Sequence, residues 1–263
     1  MTSGHYAPIN GLNMYYEIHG EGQPLVLLHG NFSAIGTSFG QMIPELAKTR
    51  QIVAIDQQGH GRTADIDRPL SPAQMAKDTI ALLDYLGLKQ VDIFGYSNGS
   101  VVALQIAIEH PVLVRKLVLM AITYNTTGLH EGLLEGIKQL QPEHLAGSKW
   151  QEEYARVAPQ PENWPLLVEK TKTMDENLPD WSAETIQALK SPALIIGGDN
   201  DIIRPEHTIE MFKLLGGAVM RMDGSLSQSQ LAILPGTSHE MLVDRPEWLV
   251  SMATYFLNVP VKA

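Results

Sequence analysis

Short runs of consecutive apolar residues alternate along this chain with longer stretches whose apolar positions recur at helical spacing. A run of about five apolar residues is typical of a strand that is buried on both faces of a parallel sheet. The alternation of such strands with helices predicts an α/β fold with a mostly parallel central sheet flanked by helices. The predicted strands are Pro24 to Leu28, Gln51 to Ile55, Val91 to Phe94, Lys116 to Met120, Ala193 to Ile196 and Leu231 to Leu234, after an antiparallel strand at Tyr15 to Ile18.

Three helices between these strands have recognisable ends. Ser71 is a predicted N-cap with Pro72 at the first helical position, and Gly87 ends that helix. A second helix is predicted from Asn98 to Glu109 and a third from Pro205 to Leu215. Each of them follows a predicted strand, as the crossover connections of a parallel sheet require.

The segment from Thr123 to Lys190 differs from the rest of the chain because it has no convincing strand pattern. Prolines divide it into several short helical stretches, and they lie at Pro142, Pro159, Pro161, Pro165 and Pro179. We therefore predict one α/β core formed by residues 1–122 and 191–263. Residues 123–190 are predicted to be a helical cap inserted between two core strands.

Composition narrows the class of function. The chain has 263 residues, a formal net charge of -10 and no cysteine. A negative surface repels phosphates and anionic headgroups, so we expect neither nucleic acid nor a membrane as partner. Composition leaves open whether the chain forms a homo-oligomer. Without cysteine there are no disulfides, thiolate metal sites or cysteine nucleophiles. No secretory signal or bilayer-spanning apolar run is visible, so we expect a cytoplasmic location.

The strongest chemical signal is Gly95-Tyr96-Ser97-Asn98-Gly99, which lies between a predicted strand and a predicted helix. On such a sharp strand-to-helix turn a serine hydroxyl is exposed, and glycines on both sides let the strand and the helix approach each other. The N–H groups that begin the helix also point toward this site. The pattern predicts Ser97 as a nucleophile, and a plain glycine-rich turn is the competing interpretation.

A serine hydroxyl needs a base, and His239 is the best placed of the nine histidines. It follows the last predicted strand, so it lies at the same carboxyl edge of the sheet as Ser97, where ligands bind. The base needs a carboxylate to hold its tautomer. Asp199 and Asp201 both follow the preceding strand; Asp201 lies farther out toward the histidine, whereas Asp199 is typical of a turn.

The oxyanion formed by attack on a carbonyl needs N–H donors that are already in place. The backbone N–H of Asn98, directly after the nucleophile, is one candidate. The loop His29-Gly30-Asn31-Phe32 offers another, because Gly30 allows close backbone approach and the N–H of Asn31 follows it. We interpret His29 as a histidine that hydrogen-bonds within its own loop and not as the base.

These blocks together resemble those of the α/β-hydrolase superfamily over nearly the whole chain. The matching blocks are His29 to Asn31, Asp56 to Arg62, Gly95 to Gly99, Gly198 to Pro205 and Pro235 to His239. The order Ser, Asp, His along the chain is also that of this superfamily. The resemblance implies a triad of Ser97, His239 and Asp201 and an oxyanion hole formed by Asn31 and Asn98. The chain looks most like small bacterial esterases and cofactor-free haloperoxidase or perhydrolase-like enzymes.

The resemblance implies a serine hydrolase that cleaves a carboxylic ester or lactone through an acyl-enzyme, without a metal or an organic cofactor. Four aromatic residues are candidate walls of the substrate pocket: Phe32, Tyr124, Trp150 and Trp164. Packing between cap and core is the competing interpretation for most of these rings.

Several alternatives stay open at the level of the sequence. A carbon–carbon bond hydrolase of ring-fission products and a perhydrolase would use the same serine on the same fold. Haloalkane dehalogenases and epoxide hydrolases of this fold use an aspartate nucleophile, and the serine at position 97 argues against both. A ligand-binding protein of the same fold is the non-enzyme alternative. Such a binding protein would tolerate loss of the base or the acid, so the presence of Ser97, Asp201 and His239 together favours an enzyme.

Overall fold

The computed structural model describes residues 4–260 of the chain. Within that range eight strands form one sheet. They are β1 (Gly4–Ile9), β2 (Leu12–His19), β3 (Gln23–Leu28), β4 (Arg50–Ile55), β5 (Val91–Tyr96), β6 (Val114–Met120), β7 (Ala193–Asn200) and β8 (Gln230–Ser238). Their order across the sheet is β1-β2-β4-β3-β5-β6-β7-β8.

The sheet is antiparallel at one edge and parallel elsewhere. β2 pairs antiparallel with β1 and with β4, whereas every neighbouring pair from β4 across to β8 is parallel. The predicted antiparallel strand at Tyr15 to Ile18 is thus the second half of β2. The sequence pattern did not identify β1, because only Ala7 and Ile9 of this edge strand are buried. A half-exposed edge strand has no continuous apolar run to detect.

Helices cover both faces of the sheet. They are α1 (Ile35–Phe39), α2 (Ile43–Leu46), α3 (Pro72–Tyr85), α4 (Asn98–Glu109), α5 (Leu133–Lys138), α6 (Lys149–Val157), α7 (Trp164–Asp175), α8 (Ala183–Gln187), α9 (Pro205–Leu214) and α10 (Pro246–Asn258). Leu25 and Leu27 of β3 pack in the cluster formed with α1, α2 and α10, and Val26 and Leu28 pack in the cluster formed with α3, α4 and α9. This alternation of period two explains the continuous apolar run of β3. None of the described helices is long and apolar enough to cross a membrane.

The predicted ends of the core helices agree closely with the structure. The Ser71 hydroxyl caps α3 by accepting a hydrogen bond from the N–H of Gln74 at 3.2 Å. Pro72 is the first residue of α3, and the predicted bounds of α4, Asn98 to Glu109, are those observed. N-cap oxygens and an N-terminal proline are local signals, which is why the sequence shows them.

Strands β7 and β8 are longer than the apolar pattern predicts. Their pairing continues past Gly198 through an irregularity in register to Asn200 opposite Ser238. The carboxylate of Asp199 holds this extension, since it accepts hydrogen bonds from the N–H groups of Gly236 at 2.9 Å and Thr237 at 3.0 Å. Asp199 is therefore a strand residue and not a turn residue. Asp201 and His239 follow directly after two strand ends that are tied together.

Between β6 and β7 the described chain forms α5 to α8 and short 3₁₀ turns, with no strand. We call residues 123–190 the helical insertion. Its helix α7 contacts the core loop after β4 through Lys170, whose ammonium group donates to the backbone oxygens of Ile66 at 2.9 Å and Arg68 at 3.0 Å. The observed helices agree with the expected content of the segment, while its division from the core as a cap stays a prediction.

Candidate active site

Ser97 lies on a sharp turn between the end of β5 and the start of α4. Its backbone has φ 53° and ψ −121°, in the left-handed half of φ that a residue with a side chain rarely adopts. The turn is tight: a Cβ atom on Gly99 would lie 2.0 Å from the carbonyl oxygen of Leu28. A strained position of this kind costs on the order of 1–3 kcal/mol and is maintained by the packing around it.

Three polar side chains from three strand ends form a hydrogen-bonded chain. The Nε2 atom of His239 lies 3.0 Å from the Oγ atom of Ser97, and its Nδ1 atom lies 2.7 Å from Oδ1 of Asp201. An ionised carboxylate only accepts hydrogen bonds, so the proton of the neutral imidazole is on Nδ1. The lone pair of Nε2 then faces the serine hydroxyl, which is the arrangement a general base needs.

Backbone and side-chain groups hold the members of this chain in place. Asp201 is only 6% exposed and also accepts hydrogen bonds from the N–H groups of Gly198 at 3.4 Å and Ile203 at 3.3 Å. The phenol of Tyr96 donates to the backbone oxygen of His239 at 3.1 Å. Burial raises the pKa of Tyr96, so this phenol stays a neutral donor.

Two backbone N–H groups near Ser97 have no acceptor among the described residues, those of Asn31 and Asn98. Asn98 is the first residue of α4, and the first N–H groups of a helix have no partner within it. The loop that carries Asn31 lies close to the nucleophile, since a Cβ atom on Gly30 would be 3.1 Å from the Cβ of Ser97. Both predicted oxyanion donors therefore adjoin the serine.

His29 anchors the loop that carries Asn31. Its Nδ1 atom is 2.8 Å from the carbonyl oxygen of Gly30, and its Nε2 atom accepts from the N–H of Gln57 at 3.0 Å. Burial lowers the pKa of His29 to about 3 and that of the neighbouring His60 to about 4. Both rings are neutral hydrogen-bonding groups at neutral pH and neither contacts Ser97.

Two cavities meet at Ser97, and both are also lined by Asn31, Asp175 and His239. The smaller one, of about 80 Å³, we call the core-side cavity; its apolar walls include Val101, Ala121, Leu129, Leu178 and Ile203. The larger one, of about 260 Å³, we call the insertion-side cavity; its walls include Phe32, Leu140, Leu145, Trp150 and Lys172. Helices of the insertion line both cavities, so this segment shapes the space beside the serine.

Two of the four predicted wall residues line a cavity and two do not. Phe32 and Trp150 line the insertion-side cavity. Tyr124 lines neither cavity, because its ring stacks on His207 with centroids 4.3 Å apart. Trp164 also lies behind the wall, packed on Phe32 at 5.9 Å and on Tyr154. Neither Tyr124 nor Trp164 lines these two cavities, so their role as substrate contacts stays a prediction. An aromatic residue in a helical pattern does not indicate which neighbour covers it.

The sequence analysis did not identify Asp175, the last residue of α7. Its carboxylate accepts from the side-chain amide of Asn31, with Nδ2 2.9 Å from Oδ1 and 3.1 Å from Oδ2. Burial raises the pKa of Asp175 to about 7, although the hydrogen bond from Asn31 and the nearby His239 act in the opposite direction. An acidic residue in the last turn of a helix opposes the helix dipole, and this was its one local signal.

The site contains a serine, a histidine and an aspartate in one hydrogen-bonded chain. Within residues 4–260, no group of three or more His, Cys, Asp and Glu side chains is arranged to hold a metal ion. The expected chemistry depends on the side chains and backbone N–H groups described above. The arrangement can deprotonate a serine hydroxyl and stabilise an oxyanion beside it.

Comparisons of this sequence with a family profile and with other proteins indicate the same family. The sequence profile of the alpha/beta hydrolase fold matches residues 23–246. The human protein named serine hydrolase BPHL is 29% identical over 215 residues, which cover 75% of this chain and 70% of that protein. The 2-hydroxymuconate semialdehyde hydrolase of Pseudomonas sp. (strain CF600) is 36% identical over 121 residues, which cover 43% of this chain and 41% of that protein.

A solved structure agrees with the fold over the whole length. The serine hydrolase involved in carbazole degradation (CarC enzyme) is similar with a TM-score of 0.78 at 20% identity, covering 99% of this chain and 100% of that chain. The profile match extends from β3 to the start of α10 and includes the strand ends that carry Ser97, Asp201 and His239. The chain therefore belongs to the α/β-hydrolase fold family.

Proposed function

We propose that this protein is a serine hydrolase that cleaves a carboxylic ester or lactone through an acyl-enzyme. The observation that carries the proposal is the continuous hydrogen-bonded chain from Ser97 Oγ to His239 Nε2 at 3.0 Å and from Nδ1 to Asp201 at 2.7 Å. This chain supplies the nucleophile, the base and the group that orients the base. Its position at the meeting point of two cavities gives a substrate carbonyl access to the serine.

The proposed reaction has two steps. In the first, His239 takes the proton of Ser97 as Oγ bonds to the carbonyl carbon, and the resulting oxyanion accepts from the N–H groups of Asn31 and Asn98. Each such donor is worth on the order of 3 kcal/mol in the transition state. The carbon–oxygen bond to the alcohol then breaks, and the alcohol leaves with the proton from His239. In the second step water takes the place of the alcohol and releases the acid.

The two cavities supply places for the two parts of an ester. Small apolar walls on the core side suit a short acyl or alkyl group, and the aromatic walls on the insertion side suit a larger one. Because the insertion contributes walls to both cavities, we propose that it acts as the cap over the site. The proposed substrate contacts at the larger cavity are Trp150 of the insertion and Phe32 of the core.

The first test of the proposal is the substitution Ser97→Ala. We expect kcat/KM for a chromogenic short-chain ester to fall by about 10³-fold or more, because the nucleophile is removed. Thermal unfolding of the variant should match that of the wild type or exceed it. Turnover by the folded variant at the wild-type rate would overturn the proposal.

A second test separates an enzyme from a ligand-binding protein of the same fold. A fluorophosphonate reacts covalently with a serine that a neighbouring base activates. We expect mass spectrometry to find the adduct on the peptide that carries Ser97, and to find none after His239→Ala. A protein whose serine is idle would not be labelled in either form.

A carbon–carbon bond hydrolase of ring-fission products is the second candidate. Two observations favour it, the similarity to 2-hydroxymuconate semialdehyde hydrolase and the presence of Lys172 in the wall of the insertion-side cavity. The ammonium group of Lys172 pairs with Glu169 at 3.0 Å, and we propose that it exchanges this partner for a substrate carboxylate. Assay of ring-fission dienoates beside simple esters distinguishes the candidates. Preference for the dienoate, lost on Lys172→Met, would favour the second one.

A further inference from the structure

Asp175 is an acidic side chain beside Ser97, and no cationic side chain of residues 4–260 forms an ion pair with it. It lines both cavities together with Ser97, and within the described part of the chain its carboxylate accepts hydrogen bonds only from Asn31. The two ammonium groups of α7 pair with other carboxylates, that of Lys172 with Glu169 at 3.0 Å and that of Lys170 with Asp65. A carboxyl group keeps acceptor positions in either protonation state, and Asn31 is the single donor that the structure shows to Asp175, so Asp175 has acceptor capacity left for a ligand.

Asp175 and the side-chain oxygen of Asn31 are two neighbouring acceptors, on residues that line both cavities. Asn31 directs its side-chain N–H₂ group at the two carboxylate oxygens, and its Oδ1 atom is buried without a partner among the described residues. Buried acceptors in native proteins are nearly always hydrogen-bonded, and one at the wall of a cavity can receive its donor from a ligand. The free backbone N–H groups of Asn31 and Asn98 are the proposed oxyanion donors, so a donor for these two acceptors comes from a ligand.

We propose that Asp175 is a specificity-determining residue that accepts a hydrogen bond from an N–H group of the substrate. The substrates are then acyl compounds that carry an amide or ammonium N–H close to the carbonyl that Ser97 attacks. The nitrogen of an amide or ammonium N–H has no free lone pair to satisfy beside the carboxyl group, whereas a hydroxyl oxygen has two. The inference rests on the proposed serine-hydrolase function and names the substrate class for the same site.

A positioning role for Asp175 makes a different prediction. In that role the carboxylate would hold only the side chain of Asn31 and thereby the backbone N–H of Asn31 that donates to the oxyanion. Loss of the carboxylate would then slow every substrate by the same factor. Recognition of an N–H group instead slows the substrate that carries it and spares the substrate that does not. Two substrates that differ at a single position therefore separate the two roles.

The experiment uses para-nitrophenyl esters of N-acetylglycine and of levulinic acid, which differ only in an N–H group against a methylene. The ratio of their kcat/KM values is measured for the wild type, Asp175→Leu and Asp175→Ala, and differences in intrinsic reactivity cancel when ratios are compared. We expect the preference for the N–H ester to fall by about tenfold or more in both variants. Glu176→Leu, at the next and exposed position, should change the ratio by less than about twofold.

A second pair of esters identifies the source of the donor. The para-nitrophenyl esters of β-alanine and butyric acid differ in an ammonium group against a methyl group. If the Asp175 variants lose more preference within the β-alanine pair than within the N-acetylglycine pair, the donor is a cationic amine. If they lose preference only within the N-acetylglycine pair, the donor is a neutral amide. Both results support the proposal.

Equal ratios in the wild type and in both Asp175 variants, for both pairs, would overturn the proposal and leave Asp175 a positioning residue. The alanine variant keeps this test available if the larger leucine side chain prevents folding. Ser97→Ala is assayed on the same four esters. Turnover by Ser97→Ala would overturn the proposed serine-hydrolase function. Because this result does not depend on the ratios measured for the Asp175 variants, the two failures can be told apart.

Discussion

At the scale of single residues, two aspartates on one strand end differ in what they contact. Asp201 accepts from the imidazole of His239 and is buried, whereas Asp199 is exposed and accepts from two backbone N–H groups at the end of β8. Those two hydrogen bonds lower the pKa of Asp199. One side chain thus orients the proposed base, and the other holds the backbone that carries this base.

This difference predicts unequal effects of the same substitution. Asp201→Asn places an amide opposite Nδ1 of His239 and favours the wrong tautomer, so we expect kcat for an ester to fall on the order of 10³- to 10⁴-fold. Asp199→Asn is the matched control, and it should cost less than about tenfold because an amide oxygen still accepts from the backbone. A larger loss for Asp199→Asn than for Asp201→Asn would contradict the assignment of the orienting acid.

At the scale of elements, the turn that carries Ser97 depends on the helices packed behind it. α3 lies beside α4, and the side chain of Met75 in α3 contacts the amide of Asn98, with its sulfur 3.4 Å from Nδ2. The start of α3 is set by its cap at Ser71 and by Pro72. The stability of α3 therefore contributes to the fold without contributing a group to the chemistry.

Removal of the cap should change stability and leave activity intact. We expect Ser71→Ala to lower the free energy of unfolding by about 1 kcal/mol, since the N–H of Gln74 loses its acceptor. Ser71→Asp keeps an acceptor at the helix start and should stay within about 0.5 kcal/mol of the wild type. Chemical denaturation measures both values. A matching drop in kcat/KM of the folded alanine variant would show that α3 also affects the site.

At the scale of the whole molecule, buried ionisable groups gather under the carboxyl edge of the sheet. Asp56 accepts from the N–H groups of Ile35 at 2.9 Å and Arg62 at 2.8 Å, and the rings of His29 and His60 lie 5.1 Å apart. Burial raises the pKa of Asp56 to about 6, while it lowers the pKa values of both histidines. Hydrogen bonds from Gln57 to His29 and from Ile35 to Asp56 connect the segment after β3, which carries Asn31, to the loop after β4.

The buried histidines predict a dependence of stability on pH. The pKa of His60 is about 4 in the folded protein against about 6.5 in the unfolded chain, so the unfolded chain binds more protons as pH falls below about 6.5. His60 therefore lowers the stability of the wild type between pH 7 and pH 5. The raised pKa values of Asp56 and Asp175 act in the opposite direction over the same range.

Comparison with a variant isolates the contribution of the histidine. His60→Gln is expected to be less stable than the wild type at pH 7, and the difference should shrink by on the order of 1–2 kcal/mol at pH 5. His5→Gln, at an exposed position of β1, is the control, with a difference that stays constant. Urea unfolding at both pH values gives the four free energies. A difference that widens as pH falls would mean that His60 is charged in the folded state.

The sequence by itself determined the fold class, the parallel direction of the core strands and the identity of the three side chains that the structure brings together. Ser97, Asp201 and His239 each follow a strand, and the ends of parallel strands share one edge of a sheet, so chain position was enough to predict their proximity. The backbone donors of Asn31 and Asn98 follow from the same rule.

Only the tertiary structure decided what surrounds these groups. Asp175 and Trp150 reach the cavities, and Tyr124 and Trp164 do not, because the direction of a short helix in the insertion depends on distant partners and not on its own sequence. The extension of β7 and β8 also depends on cross-strand hydrogen bonds to Asp199. Periodicity specifies which face of an element is apolar, whereas packing between elements specifies what that face meets.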